Sequence, residues 1–292
     1  MAAWRAVARV LRSPVDAVSC AIFPSSCRLC NQYLLHLSAA PVCASCWHKL
    51  LPQPKSNLCG LCGEQLGWGD LRFPVRSPLE SDSVSRCELC ERAKPPFQQA
   101  VAYGVYEHTL RALIHLLKYE QVRTVARRMG ALLAEAAAGL ENLPSSLVVA
   151  AVPLHATRER ERGFNQTVLL AGHALRELRR LRPDLQLHAA LRALGRRRET
   201  ESQARLTPHQ RRKNLRGAFY VASPEQISGR AVLLLDDIYT TGATARECTR
   251  TLLQAGAARV FIATLARSQR EGVAFWGSSA AANLAVANSA IV

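Results

Sequence analysis

Short apolar runs punctuate the chain at 147–152, 232–235 and 259–265. The first two are apolar at every position, the pattern of strands buried on both faces of a parallel sheet, and the third reads as another strand. Residues 100–106 (AVAYGVY) and 219–222 predict two more. Between the strands the period changes to three and four. Leu110, Leu113, Ile114 and Leu117 line one face of a helix over 109–119, an Ala- and Leu-rich helix covers 125–140, and a third runs from Asn165-Gln166 to about residue 181. The last helix follows the 232–235 strand after a short turn. It has Leu252 and Leu253 inward, Thr244 and Glu247 at capping-box spacing, and Gly256 at its C-terminus. Strands and helices in this order predict an α/β domain on a parallel sheet.

The ends are different. Trp4, Val7, Leu11, Val15, Val18 and Ile22 form a helical stripe, interrupted where Ser13-Pro14 reads as an N-cap with Pro at N1. Two short helices packing onto the protein are expected. An Arg-bearing amphipathic start is also the form of a transit peptide or a membrane-surface helix. Beyond residue 268 the chain is rich in Ala, Asn and Ser without a period, a poorly ordered tail. The expected organisation is therefore amphipathic helices over 1–24, a cysteine module over 25–96, the α/β domain over 97–267 and a tail over 268–292.

Composition adds two constraints. Of 292 residues 49% are apolar, enough for a sizeable core, and the net charge of +16 points to polyanionic ligands, phosphates or nucleic acid. No apolar run approaches the ~20 residues of a membrane-spanning helix. Eight of the ten cysteines form four C-x-x-C pairs: Cys27/Cys30, Cys43/Cys46, Cys59/Cys62 and Cys87/Cys90. Each pair sets two sulfurs on one side of a tight turn, and two such turns complete a tetrahedral Zn²⁺ site, so two structural zincs are expected. Pairing of successive turns and interleaved pairing are both open, because the spacers of 12 and 24 residues flank the usual range of roughly 15–20. The longer spacer carries a Gly/Pro/Ser-rich insertion at 67–85. His36 and His48 read as bystanders, and Cys20 and Cys248 as small buried residues on helices. With no secretory signal recognised ahead of the pairs, thiolates in a reducing, cytoplasmic compartment are expected.

The chemistry concentrates where the 232–235 strand is expected to end. Asp236 and Asp237 stand there, followed by Thr240, Thr241, Gly242, Ala243 and Thr244 and then the helix. A Gly-containing turn feeding a helix N-terminus gathers backbone N–H groups and the positive dipole end, an anion site suited to phosphate. Paired acids beside it would repel an anion unless a polyol or cation lies between. A ribose 5-phosphate satisfies both halves. Upstream, Arg158, Arg160 and Arg162 alternate with glutamates before Gly163, read as a mobile pyrophosphate-clamping loop or, alternatively, a salt-bridged surface turn. Lys118 lies seven residues after Arg111, on the same side of its helix. Nine basic residues between 192 and 216, with no aromatic among them, allow a phosphate-tracking patch but weaken a base-stacking platform.

Strand, acid pair and TTGAT look like the 5-phosphoribosyl pyrophosphate (PRPP) motif of type I phosphoribosyltransferases. Four cysteine turns, Leu116-Leu117-Lys118-Tyr119, Val152-Pro153-Leu154, Arg162 to Gln166, Thr200 with Gln203, Arg211 with Asn214, and Asp236 to Thr244 occur here in one order. In these the chain resembles the ComF family, double zinc ribbons fused to a type I phosphoribosyltransferase domain. The resemblance implies that Asp236 and Asp237 hold the ribose hydroxyls and that Thr240 to Thr244 hold the 5′-phosphate. It implies that Lys118, Arg158, Arg160 and Arg162 stabilise departing pyrophosphate with Mg²⁺, and that Asn165 and Gln166 belong to the ligand site. It further implies a role in DNA uptake, with single-stranded DNA and uptake-machinery proteins as candidate partners. An active transferase of unknown acceptor, a non-catalytic PRPP-fold protein and a zinc-dependent DNA-binding adaptor all remain open at this level.

Overall fold

The computed structural model describes residues 25–34, 39–54, 56–67, 85–198 and 215–269. The expected helices of 1–24, most of the 67–85 insertion, the tail beyond 269, His36, Cys20, Thr200, Gln203, Arg211 and Asn214 lie outside these residues. The described strands are β1 Gln99–Val105, β2 Ser146–Ala151, β3 Gln186–Ala189, β4 Leu194–Arg196, β5 Phe219–Val221, β6 Ala231–Tyr239 and β7 Arg259–Arg267. Five of them form one sheet in the order β1-β7-β6-β2-β3, every pair parallel, and β4 and β5 make a separate antiparallel pair. The helices are α1 Ala44–His48, α2 Glu88–Arg92, α3 His108–Tyr119, α4 Ala126–Ala138, α5 Ala156–Arg162, α6 Gln166–Leu181 and α7 Ala243–Gln254. None among the described residues is long and apolar enough to cross a membrane.

Side-chain alternation explains why the runs are unbroken. Leu147, Val149, Leu233, Leu235, Phe261 and Ala263 join one apolar cluster with residues of α3, α4 and α6. Val148, Ala150, Val232, Leu234, Val260 and Ile262 join a second with Cys248 and Leu252 of α7. Both faces of the central strands are therefore covered, so neither face tolerates polar positions. The cysteine turns take part in the same packing. Cys27 and Cys46 belong to the first cluster, whereas Cys59, Cys62, Cys87 and Cys90 belong to the second.

Topology creates the crevice. After β2 the chain passes through α5 and α6 to β3 on one side; after β6 it passes through α7 to β7 on the other. Neighbouring strands whose connections leave in opposite directions open a cleft at their carboxyl ends, the usual place for a ligand in such sheets. β2 stops first: Val152 N–H donates to Leu235 O at 2.9 Å, one residue before the acid pair. β6 does not end at the acids, as the apolar run suggests. It continues through them to Tyr239 because β7 still pairs with it, Asp236 opposite Thr264 and Tyr239 opposite Arg267.

Candidate functional site

The acids sit on a strand and so point to opposite faces. Asp237 is buried and turned toward α3 and α6: Lys118 Nζ donates to its Oδ1 at 2.7 Å and Gln166 Nε2 to its Oδ2 at 3.1 Å. Asp236 is half-buried on the side of α7, and its Oδ1 accepts the N–H of Asp237 at 2.8 Å. Burial, and then the neighbouring Asp237 charge, push the Asp236 carboxyl up to about 8. The unfolded carboxyl titrates near 3.9, so the folded chain keeps a proton that the unfolded chain releases. That contribution to stability is intact below pH ~4 and is lost as pH rises toward about 8. Asp236→Asn is therefore expected to flatten the fall in melting temperature between pH 5 and 8, as thermal denaturation across that range would read; a slope equal to wild type would remove Asp236 as its source.

The turn after β6 closes on Gly242, which has φ of 73° and is the residue preceding α7. A β-carbon there would stand 2.7 Å from the Tyr239 ring carbon that bears the hydroxyl. Only glycine fits, because both the left-handed backbone and the approach of the ring forbid a side chain. Helix α7 thus begins at Ala243, and the expected capping box between Thr244 and Glu247 does not form. The glycine turn starts the helix earlier, and the buried Glu247 instead accepts the N–H of Gly217 at 2.7 Å and pairs with Arg250. In the same loop the Thr241 hydroxyl is buried without a hydrogen-bond partner, and so is Gln166 Oε1 beside Asp237. Unsatisfied buried polar atoms are rare in folded proteins, and these two suit a polar ligand at the carboxyl ends of the strands. A small cavity under the loop is lined by Val152, Asp236, Tyr239, Gly242, Thr244 and Thr264.

The arginine segment is a helix, α5, and not the loop expected from its alternating charges. His155 Nδ1 accepts from Thr157 N–H at 3.4 Å to open it, and Gly163, at φ of 70°, ends it. The seven residues between these two signals suffice for the helix, whatever the charges. Arg158 and Arg162 are half-buried and Arg160 is exposed. Glu159 pairs with Arg192 at 3.3 Å, and the Arg162 guanidinium lies 5.3 Å from the Tyr119 ring centre. Asn165 Oδ1 caps α6 by accepting from Thr167 and Val168 N–H at 3.0 and 3.2 Å, which sets Gln166 against Asp237. Of the basic stretch, Arg196 and Arg197 lie over Phe219 and Tyr220, at 5.5 and 5.2 Å. The aromatics that the stretch itself lacks come from β5.

Two cysteine tetrads are present, and they resolve the open pairing in favour of successive turns. Cys27, Cys30, Cys43 and Cys46 form one; Cys59, Cys62, Cys87 and Cys90 form the other. Sulfurs ~2.3 Å from a tetrahedral zinc would lie about 3.8 Å apart. Cys27–Cys46 is 3.8 Å, while Cys30–Cys43 and Cys62–Cys87 are 3.6 Å. Cys27 Sγ also receives N–H groups from Leu29 and Cys43 at 3.5 and 3.3 Å, contacts that favour a thiolate. Each tetrad could hold a zinc ion; His48 belongs to neither. Sequence reasoning missed one residue altogether. Arg267, the last of β7, is 3% exposed and pairs with the equally buried Glu64. Nothing in the local sequence marks it, because Glu64 lies some 200 residues away.

A phosphoribosyl transferase domain model matches residues 165–276. The chain is 31% identical over 231 residues to the DNA utilization protein YhgH of Escherichia coli K12, covering 76% of this chain and 96% of that protein. It is 28% identical over 240 residues to competence protein F of Haemophilus influenzae, 80% of this chain and 93% of that one. Among solved structures, a hypoxanthine phosphoribosyltransferase from Trypanosoma cruzi aligns with 53% of this chain and 86% of its own, at 12% identity and a TM-score of 0.32. With relatives above 30% identity matched along nearly their whole length, and with paired cysteine tetrads preceding a parallel sheet, the chain belongs to the ComF family.

Proposed function

We propose that this protein binds PRPP with Mg²⁺ at the carboxyl ends of β2 and β6 and releases pyrophosphate, transferring the phosphoribosyl group to an acceptor or to water. One observation carries the reading: a glycine-only turn with an unsatisfied threonine hydroxyl stands at a helix N-terminus, directly after two acids, at the switch point of a parallel sheet. The 5′-phosphate takes the N–H groups and hydroxyls of Thr240, Thr241, Gly242, Ala243 and Thr244. Asp236 and Asp237 accept the ribose hydroxyls. Lys118, Arg158, Arg160 and Arg162 face the diphosphate, while Asn165 and Gln166 frame the pocket from the start of α6. In the reaction the bond from C1 to the pyrophosphate oxygen breaks, its electron pair leaves with pyrophosphate, and a bond forms from C1 to the acceptor, which gives its proton to solvent. Positive charge on the ring and on incoming Mg²⁺ would draw the proton off Asp236, and the two carboxylates beside C1 would then stabilise the ring while the cations stabilise the leaving group. Mg²⁺ arriving with the diphosphate could be held by Asp236 and would supply further charge neutralisation. The two tetrads each hold one structural zinc.

The test is a PRPP·Mg²⁺ titration together with an assay for released pyrophosphate. Asp237→Asn is expected to weaken PRPP binding about 10- to 100-fold, the loss of one or two charge-assisted hydrogen bonds. Unchanged affinity would refute the assignment. Saturable binding without release would instead select the second reading, a non-catalytic PRPP-fold competence factor that binds single-stranded DNA. The stacking of Arg197 on Tyr220, which is 38% exposed, favours that alternative, since paired cation and ring suit a nucleobase.

A further inference from the structure

Between the second tetrad and the sugar-phosphate turn runs one continuous buried contact path. Cys62 O accepts from Arg267 Nη1 at 2.5 Å, and Cys62 Sγ lies 3.5 Å from Arg267 Nη2. Nη2 also pairs with Glu64. The same guanidinium lies 4.3 Å from the centre of the Tyr239 ring, whose edge Phe97 meets at 6.4 Å between ring centres. The far end of Tyr239 supports Gly242, leaving no room for a β-carbon. A parallel tie joins the first turn of α7 to the chain just after Cys90: Arg246 Nη2 donates to Ala93 O at 2.8 Å and Nη1 to Lys94 O at 3.4 Å. The first tetrad packs by apolar contact, Cys27 and Cys46 lying in the other cluster with Leu117, and has no buried charged tie among the described residues. Its charged link to the site region is Arg28–Glu120, with side chains 53% and 44% exposed, and exposed pairs transmit little.

We infer that Arg267 and Tyr239 are positioning residues that make the second tetrad part of the sugar-phosphate site, so that metal in that tetrad and sugar phosphate in the turn favour one another. The inference rests on the proposed sugar-phosphate reading of the turn. Four thiolates around a divalent metal leave excess negative charge next to a buried guanidinium, and Arg267 supplies the neutralising contact. Without metal the four sulfurs are no longer tied to one point, and the Cys62 turn that meets Arg267 through its carbonyl and its Sγ loses its anchor. The hold of Arg267 over Tyr239 would then relax, and with it the ring that seats Gly242. Coupling between two sites is reciprocal, so sugar phosphate must retard metal loss as much as metal improves sugar-phosphate binding.

The experiment uses the full chain loaded with two zincs, a chromogenic chelator to follow release, and ribose 5-phosphate as probe, which avoids added Mg²⁺. Cys30→Ser, which breaks the first tetrad, identifies the phase belonging to the second. Saturating ribose 5-phosphate is expected to slow that phase about 10-fold, within the usual range of coupling, and to leave the other within twofold. Arg267→Lys, which keeps the charge but loses the forked contact, is expected to bind both zincs and to reduce the effect below threefold. Tyr239→Leu, which removes the ring while sparing the tetrad, should do the same and serves if Arg267→Lys fails to fold. Ribose 5-phosphate that binds but slows neither phase, or slows both equally, would overturn the coupling and leave the binding site standing. No binding of ribose 5-phosphate at all would remove the sugar-phosphate reading and the coupling with it.

Discussion

Gly242→Ala is expected to abolish ribose 5-phosphate binding in a chain that still folds, with affinity falling more than about 100-fold. Two costs combine. A non-glycine residue held at φ of 73° costs about 1–3 kcal/mol when its surroundings enforce the conformation. Here they do, because Tyr239 fills the space beneath the turn, with its ring carbon 2.7 Å from where the new β-carbon would stand. The turn must then either push Tyr239 back or open, and either movement displaces the N–H groups at the start of α7. Sheet and helices do not depend on this bend, so unfolding should move by only a few degrees. Calorimetric titration with ribose 5-phosphate beside a thermal melt reads both quantities. Binding within twofold of wild type would show that the anion site lies elsewhere.

Cys59→Ser is expected to leave one zinc per chain and to lower the unfolding temperature by more than about 10 °C. Structural zinc sites contribute on the order of 10 kcal/mol to the domains they organise. From spacing alone the damage would stay within the cysteine module. The three-dimensional arrangement widens it, since Cys59, Cys62, Cys87 and Cys90 are all at most 5% exposed and pack in one apolar cluster with Phe97, Val148, Leu234 and Ile262. Releasing that metal loosens what covers one face of the sheet. Metal analysis and a melting curve decide the matter: retention of two zincs would refute the ligand assignment, and an unchanged melt would show that the tetrad is not structural.

Much of this protein is set by local spacing. The unbroken runs at 147–152 and 232–235 foretell buried parallel strands because burial on both faces leaves no room for polar alternation. The four C-x-x-C turns foretell sulfur pairs because two intervening residues bring both thiols to one side of a turn. Gly256 foretells a helix end because it stands where the chain needs left-handed backbone, at φ of 92°. What only the folded chain decides depends on distance along the sequence. Lys118 meets Asp237 across 119 residues, and Arg267 meets Cys62 across 205. No pattern near either member announces the other. The tetrad pairing, the continuation of β6 through its acids and the helix hidden in alternating charges are decided by what packs alongside: a neighbouring sulfur turn, strand β7, and caps at His155 and Gly163. Periodicity records which face of an element is buried; it does not record against what, and the chemistry of this site is a matter of what.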